Sequence, residues 1–235
     1  MVGPSHGSSQ IKGFKSAFFI DTSARLLQLP TLESRKTFMT KAALLSLNLP
    51  LAWYICTFPE PCQRRSVVQL CTVLFVLRVL VQMTFFWRRS IPWREVFLES
   101  AGIVPISIGS LAYGASCNSA ATGWGEVTGF VVSLLGNLLN FASELQRHVW
   151  KSEPRHSGKL FRHGLFGVAR HINYTGEIVA FVGFAWSTGV WWTLWVPLAM
   201  GLGLATFSIW EIEFYLAQRY REEWSDYVKD VPYVL

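Results

Sequence analysis

The string Ala169-Arg170-His171-Ile172-Asn173-Tyr174-Thr175-Gly176-Glu177 sets a guanidinium, an imidazole, an amide, a phenol and a carboxylate side by side. Arginine pairs with phosphate or carboxylate, while an amide and a carboxylate together grip a polar ligand by its donors and acceptors. A tyrosine phenol, with an ordinary pKa of about 10, keeps its proton at neutral pH and can deliver it in a reaction. Ahead of the string, Lys151, Arg155, Lys159 and Arg162 join Arg170 in a basic segment punctuated by Gly158, Gly164 and Gly167. Cations spaced by glycines, which permit close backbone approach, suit phosphate groups. A loop that meets only anionic lipid accounts for the charge, but not for the aromatic, glycine and amide residues interleaved with it.

Metal chemistry is not expected. His148, His156, His163 and His171 have no cysteine or carboxylate at a metal-ligand spacing among them, and Cys56, Cys62, Cys71 and Cys117 form no C-x-x-C pair. Arg78, Glu99, Glu144, Glu177, Glu211 and Glu213 lie inside or at the ends of apolar runs. An unpaired charge there is costly and turns toward a partner or a wet cavity. Arg78 and Glu99 have two readings, a site in the interior or snorkelling to an interface. Glu144 and Glu177 flank the basic segment and read as site residues.

The elements that position these groups are apolar helices. Of 235 residues, 51% are hydrophobic, with 11 Trp and 17 Phe against 21 Lys or Arg and 15 Asp or Glu, a balance too apolar for an ordinary soluble domain. Apolar runs span Ala42 to Phe58, Ser66 to Trp87, Val96 to Ala115, Val127 to about Leu145, Ile172 to Thr188 and Val190 to Trp210. Several reach the roughly 18 to 22 residues that cross a hydrocarbon layer, the fifth being short enough to start at headgroup level. The expected fold class is therefore all-α, a polytopic integral membrane bundle of about six transmembrane helices. Residues 1–40 form a cytosolic N-terminal segment, with Phe14 to Leu29 suited to an interfacial helix and no removable signal peptide, and residues 41–235 form one membrane domain. The segment Arg147 to Arg170 holds six Lys or Arg whereas Ser116 to Glu126 holds none. The basic loop and both termini are thus placed in the cytosol. On this scheme Arg64 and Arg65 fall on the wrong side, and Cys62 and Cys117 share the non-cytosolic side, where a disulfide is one option beside apolar filler. The net charge of +6 belongs to topology and not to a nucleic-acid face, so no nucleic-acid partner is expected.

The C-terminal part carries a family resemblance. Gly158-Lys159-Leu160-Phe161, followed by His163-Gly164-Leu165-Phe166-Gly167-Val168 and the string 169–177, is similar to the GL(F/W)G turn and R-H-P-N-Y-x-G-(E/D) core of steroid 5-alpha-reductases and sterol reductases. Asn140, Glu144 and Gln146 resemble that family's N-x-x-x-(D/E)-x-Q helix. Glu213 to Pro232, with Tyr220-Arg221-Glu222-Glu223-Trp224-Ser225-Asp226-Tyr227 and Val231-Pro232, is similar to the family's ending. The resemblance covers roughly residues 137–235 and makes them the cofactor-binding region; residues 1–130 match nothing comparable and are where substrate specificity is expected. Ile172 stands where the family has proline and Arg221 where it commonly has glycine.

This resemblance implies an NADPH-dependent reductase of a carbon-carbon double bond in a lipophilic steroid-, sterol- or enone-like substrate, in the endoplasmic reticulum. It implies Asn173 and Glu177 at the nicotinamide, Asn140 and Glu144 at the ribose or amide, and Arg170 with Lys159 or Arg162 at the phosphates, with His171 and Glu213 completing the cofactor-binding set. Glu177 and Tyr174 are the catalytic candidates, Tyr174 as proton donor or, on the plainer reading, as an interface aromatic. The expected partners are a lipophilic small molecule and membrane lipid. Isoprenylcysteine carboxyl methyltransferases, which use S-adenosylmethionine, share the R-H-P-x-Y-x-G core and the V-P ending, and their Glu-Glu pair near the last span has a counterpart in Glu211 and Glu213. A methyltransferase therefore stands as the alternative, and a non-catalytic sterol-binding membrane protein as the second.

Overall fold

The computed structural model describes residues 39–44, 46, 65–86, 92–98, 102–116, 118 and 122–233. The end of the first apolar run, the suggested interfacial helix, Glu99, Cys56, Cys62 and Cys117 lie outside the described residues. Among those described there is no strand. Helix α1, Arg65–Val81, continues into a π turn, Gln82–Phe86. Then come α2, Trp93–Leu98, and α3, Val104–Ser116. Helix α4, Trp124–Ser152, has 29 residues, about 44 Å at 1.5 Å per residue. Helix α5 is Ile172–Ser187. The last long rod begins as a 3₁₀ turn, Trp191–Leu194, runs through α6, Trp195–Gly203, and a π turn, Leu204–Ser208, and ends as α7, Ile209–Tyr220. Helix α8, Glu222–Asp230, follows. Among the described residues two helices, Trp124–Ser152 and Trp191–Tyr220, are long and apolar enough to cross a membrane, fewer than the six expected for the whole chain.

Helices α4 and α5 form the axis of the fold, and small residues bring them together. Gly129, Ser133, Gly136 and Asn140 on α4 face Gly176, Ala180, Gly183 and Ser187 on α5, all buried. A β-carbon added at Gly183 would lie 2.1 Å from the Ser133 nitrogen, and one at Gly136 would lie 2.2 Å from the Ala180 nitrogen. The two backbones therefore touch, as in small-xxx-small helix pairs. Around this seam Val68, Cys71, Ile108, Leu111, Phe181, Phe184 and Val196 build the main apolar core from α1, α3, α5 and α6.

The chain reverses after α5 at a buried threonine corner. Thr188 Oγ1 donates to the Ala185 carbonyl at 2.7 Å, and Thr193 Oγ1 reaches the same carbonyl at 3.1 Å. Carbonyls left over at the helix end are thus satisfied without water, and Gly189, at φ 67, supplies the left-handed turn. The rod that follows runs to Tyr220, ten residues past the end of the apolar run at Trp210. Its helical hydrogen bonding continues after the hydropathy fails, which puts Glu211 and Glu213 on a helix and not in a tail.

At the end of α7 the chain bends into α8 at Arg221, whose φ of 43 and ψ of −102 are strained for any residue with a β-carbon. The bend lets Trp224, Tyr227 and Val231 pack with Leu160 and clamp the basic loop. A glycine, which the family this chain resembles commonly carries here, would adopt this backbone without strain. Arg221→Gly is expected to stabilise the protein by about 1 kcal/mol and to raise its thermal midpoint, while Arg221→Ala gains nothing; unfolding of both variants in the same lipid checks this.

Candidate active site

The motif residues of the sequence meet where the C-terminal part of α4 passes the N-terminal end of α5. Asn140 and Glu144 are one turn apart on α4, and Asn173 opens α5. Asn173 Nδ2 donates to Glu144 Oε1 at 2.9 Å, and Asn140 Nδ2 donates to the Asn173 carbonyl at 2.8 Å. Asn140 Oδ1 in turn accepts from Gln82 Nε2 at 2.9 Å, which ties α1 to the pair. The second oxygen of Glu144 is held by Arg147, whose guanidinium lies 5.5 Å from the centre of the Phe166 ring. Asn140, Glu144 and Asn173 are each exposed by less than a tenth, so this polar layer is a buried, pre-formed network.

A second cluster stands beside it. Glu213 Oε1, from α7, accepts from Arg170 Nη1 at 3.1 Å and sits 2.9 Å from His171 Nε2. Arg170 is also sandwiched by aromatic rings, 5.3 Å from the centre of Tyr233 and 5.9 Å from that of Trp224, and its backbone N–H donates to the Pro232 carbonyl at 3.2 Å. Burial holds the His171 imidazole below its ordinary range, against the upward pull of the Glu213 hydrogen bond. His171 stacks on Tyr174 with ring centres 6.2 Å apart. Burial pushes the Tyr227 phenol up to about 12, which keeps its proton in place to donate to the Phe166 carbonyl at 2.7 Å.

The basic loop wraps the end of α4. The Leu165 N–H donates to Gln146 Oε1 at 2.9 Å. Gly164, at φ 58, leaves no room for a β-carbon against that side chain. The Leu160 N–H donates to Glu223 Oε2 at 2.9 Å, so α8 holds the loop from the other side. Trp150, Phe161 and Phe166 pack beneath it at centroid separations of 5.3 and 5.6 Å. Lys159 and Arg162 are exposed, and their side chains bond none of the other candidates among the described residues. The arrangement therefore brings Asn140, Glu144 and Asn173 together, and Arg170, His171 and Glu213 together, and joins Lys159 and Arg162 to neither cluster among the described residues.

Glu177 lies one turn deeper on α5 and meets a partner the sequence does not indicate. Arg78 Nη2, from α1, donates to Glu177 Oε1 at 3.0 Å, with the arginine side chain 4% exposed. Among the described residues no group of three or more His, Cys, Asp or Glu is arranged to hold a metal ion. Gln82, Arg147 and the aromatic partners of Arg170 also escape sequence reasoning: their type is ordinary, and only the helix packing gives them a role.

Comparison with known proteins gives these clusters a context. Residues 93–231 match the family described as "Protein of unknown function (DUF1295)". Delta(14)-sterol reductase of Arabidopsis thaliana is 28% identical over 120 residues, which cover 46% of this chain and 32% of that protein. "Probable O-methyltransferase ustE" of Ustilaginoidea virens is 31% identical over 84 residues, covering 36% of this chain and 27% of that protein. The chain thus spans about a third or less of the length of these curated relatives. No solved structure matches. The match takes in more than half of the chain and the site except Arg78, Gln82, Pro232 and Tyr233, so the protein belongs to the DUF1295 family, a steroid 5-alpha-reductase-like family.

Proposed function

We propose that this protein is a membrane-embedded, NADPH-dependent reductase of a carbon-carbon double bond in a lipophilic substrate. The observation that carries the reading is the Gln82–Asn140–Asn173–Glu144 hydrogen-bonded network, with Asn140, Glu144 and Asn173 buried. The residues present fit an anionic nucleotide: the Lys159 and Arg162 side chains are exposed and make no ion pair among the described residues, and the buried Arg170 Nε has no acceptor among them. In this role Lys159, Arg162 and Arg170 hold phosphates, His171 and Glu213 fix Arg170, Asn140 and Glu144 hold the ribose or amide, and Asn173 and Glu177 border the nicotinamide. NADPH, when bound, supplies a hydride. Tyr174 donates the proton that completes the reduction, with His171 stacked on its ring. The sterol reductase relative supports the same chemistry.

Lipid is the proposed surrounding solvent. Val127, Val131, Leu135, Leu138, Leu145 and Val149 form an exposed stripe along α4, each 40% exposed or more, and Leu198, Leu202, Phe207 and Trp210 do the same on the last rod. Such faces are tolerable against acyl chains and not against water. Trp124 and Trp191, both more than 80% exposed, sit at the end of the bundle opposite the basic loop, where an interfacial belt belongs. This supports a membrane protein, and the proposal completes it as a polytopic protein of about six spans, in the endoplasmic reticulum membrane, with the cofactor mouth and both termini in the cytosol.

The second reading is an S-adenosylmethionine-dependent methyltransferase, favoured by the O-methyltransferase relative and by the Glu213 carboxylate at the mouth. Thermal unfolding of the purified protein in lipid nanodiscs separates the two. NADPH at about a hundredfold over its dissociation constant stabilises the folded state by about 2.7 kcal/mol and S-adenosylmethionine does not. Stabilisation by S-adenosylmethionine alone would falsify the reductase.

A further inference from the structure

We propose that the recess where α1, α4 and α5 meet is a binding site for a single water molecule, held by Asn137 and Ser133 of α4. None of the residues that hold it belongs to the cofactor site proposed above, and the inference stands whichever cofactor the protein uses.

Asn137 lies near the middle of α4, a helix long and apolar enough to cross a membrane, where a polar side chain has to find its partners inside the protein. Its Nδ2 donates to the Ser133 carbonyl at 2.8 Å, one turn back along the helix. That bond fixes which way the amide faces, because exchanging its two ends would set oxygen against oxygen. The other end, Oδ1, is buried and has no donor among the described residues. Buried acceptors are nearly always paired, so this oxygen calls for a donor that no described side chain or backbone group supplies.

The recess beside it has the size and the lining for one. Asn137 and Ser133 form one wall, Cys71 and Phe75 of α1 a second, and Ala180 and Phe181 of α5 a third. Its volume is about 10 Å³, room for one water molecule and too little for an organic ligand. Size alone does not select water, since a purely apolar void stays dry and a buried water needs at least two polar partners. Here Asn137 Oδ1 is the first and the Ser133 hydroxyl, which can either donate or accept, is the second. Cys71 is a weak third. Ser187 Oγ donates to the Phe184 carbonyl at 2.7 Å, so in its 3.7 Å contact with Cys71 the thiol gives the proton. The sulfur lone pairs are then left to accept. A metal ion would want more oxygens than this wall offers.

A water that donates to Asn137 Oδ1 and shares a proton with Ser133 completes a polar path, with Asn137 and Ser133 on α4, Cys71 on α1 and Ser187 on α5. In lipid such polar links help to hold helices together. On the side of the cofactor mouth Gln82 already joins α1 to α4 through Asn140. The water does so some three turns away along α1.

The test looks for the water itself. Protein carrying methyl-labelled alanine is placed in lipid nanodiscs, and magnetisation transfer from water to the Ala180 methyl, which is 3% exposed, is measured by NMR. The wild type is expected to show the transfer, and Asn137→Leu to lose it. The Ser133 hydroxyl and the Cys71 thiol, the other exchangeable protons of the recess, are unchanged in that variant. Absence of transfer in the wild type overturns the proposal. So does transfer undiminished in Asn137→Leu, because the signal then comes from the hydroxyl or the thiol. Thermal unfolding shows whether the variant folds; if it does not, a crystal structure of the wild type grown in lipid decides. Ordered water within about 3.2 Å of both Asn137 Oδ1 and Ser133 Oγ supports the site. A recess without it, in a map that shows other buried waters, or an Asn137 Oδ1 bonded to a protein donor, sinks it.

Discussion

Asn173→Leu is expected to lower NADPH affinity by roughly tenfold to a hundredfold and to destabilise the folded protein by about 2 kcal/mol. The side chain is 9% exposed and its amide donates to Glu144 Oε1 at 2.9 Å. Leucine has a similar volume, so packing is largely kept and the loss falls on the hydrogen bond. A bond to a carboxylate is worth about 1.5–3 kcal/mol, and its loss leaves a buried acceptor short of a donor. Glu144 then leans on Arg147 alone, and the carboxylate proposed to face the ribose or amide loses its fixed direction. Asn173→Asp separates this network effect from packing. It has the same shape but offers only acceptors, and it places a second carboxylate against Glu144. Binding should be weak at neutral pH and recover as pH falls, because the pair can take up one proton and so regain a donor. Nucleotide-induced thermal shifts across pH check both variants; a leucine variant that binds NADPH as tightly as wild type sinks the assignment.

Much of this site is legible in the chain, and the limits have physical causes. The fifth apolar run, Ile172 to Thr188, matches α5 at Ile172–Ser187 almost residue for residue, since a glycine at Gly189 and the threonine corner end both the hydropathy and the helix. The second run likewise matches Arg65–Val81 and its π turn. The sixth run is too short by ten residues because a helix is held by backbone bonds, and these do not stop where Glu211 makes the sequence polar. The motif residues Asn140, Glu144 and Asn173 are brought into one network, as their spacing on two helices that flank one loop permits. The pairing of Arg78 with Glu177 joins residues 99 positions apart. Sequence marks both as ionisable groups in apolar runs, but which faces of α1 and α5 meet is decided by packing. The orientation of Arg170 is hidden for the same reason: its ring partners, Trp224 and Tyr233, arrive only after the chain has bent at Arg221.

The seam that fixes those faces gives the largest expected effect on stability, and it bears directly on the site. In lipid the hydrophobic effect does not drive one helix against another, so close backbone packing and polar contacts must do so. At Gly183 a β-carbon would stand 2.1 Å from the Ser133 nitrogen and 2.6 Å from the Gly129 carbonyl oxygen; at Gly136 it would stand 2.2 Å from the Ala180 nitrogen. These neighbours are backbone atoms of a paired helix and cannot rotate away, so the helices must separate. Gly183→Ala is therefore expected to cost about 3 kcal/mol, at the upper end for overpacking, and Gly183→Leu to abolish the folded state. Gly109→Ala is the control, since nothing lies within 4 Å of its added β-carbon, and alanine in a helix interior should stabilise by roughly 0.5–1 kcal/mol. Separating α4 from α5 also pulls Asn140 from the Asn173 carbonyl, a contact of 2.8 Å that tolerates no such shift. Gly176 adds to this, because its missing β-carbon would stand 2.6 Å from the Asn140 nitrogen itself. Gly176→Ala should then reduce nucleotide binding more than its loss of stability accounts for, whereas Gly183→Ala, two turns away, should reduce stability more than binding. Paired measurements of thermal midpoint and NADPH affinity on the two variants show whether the seam sets the geometry of the site or only holds the bundle together.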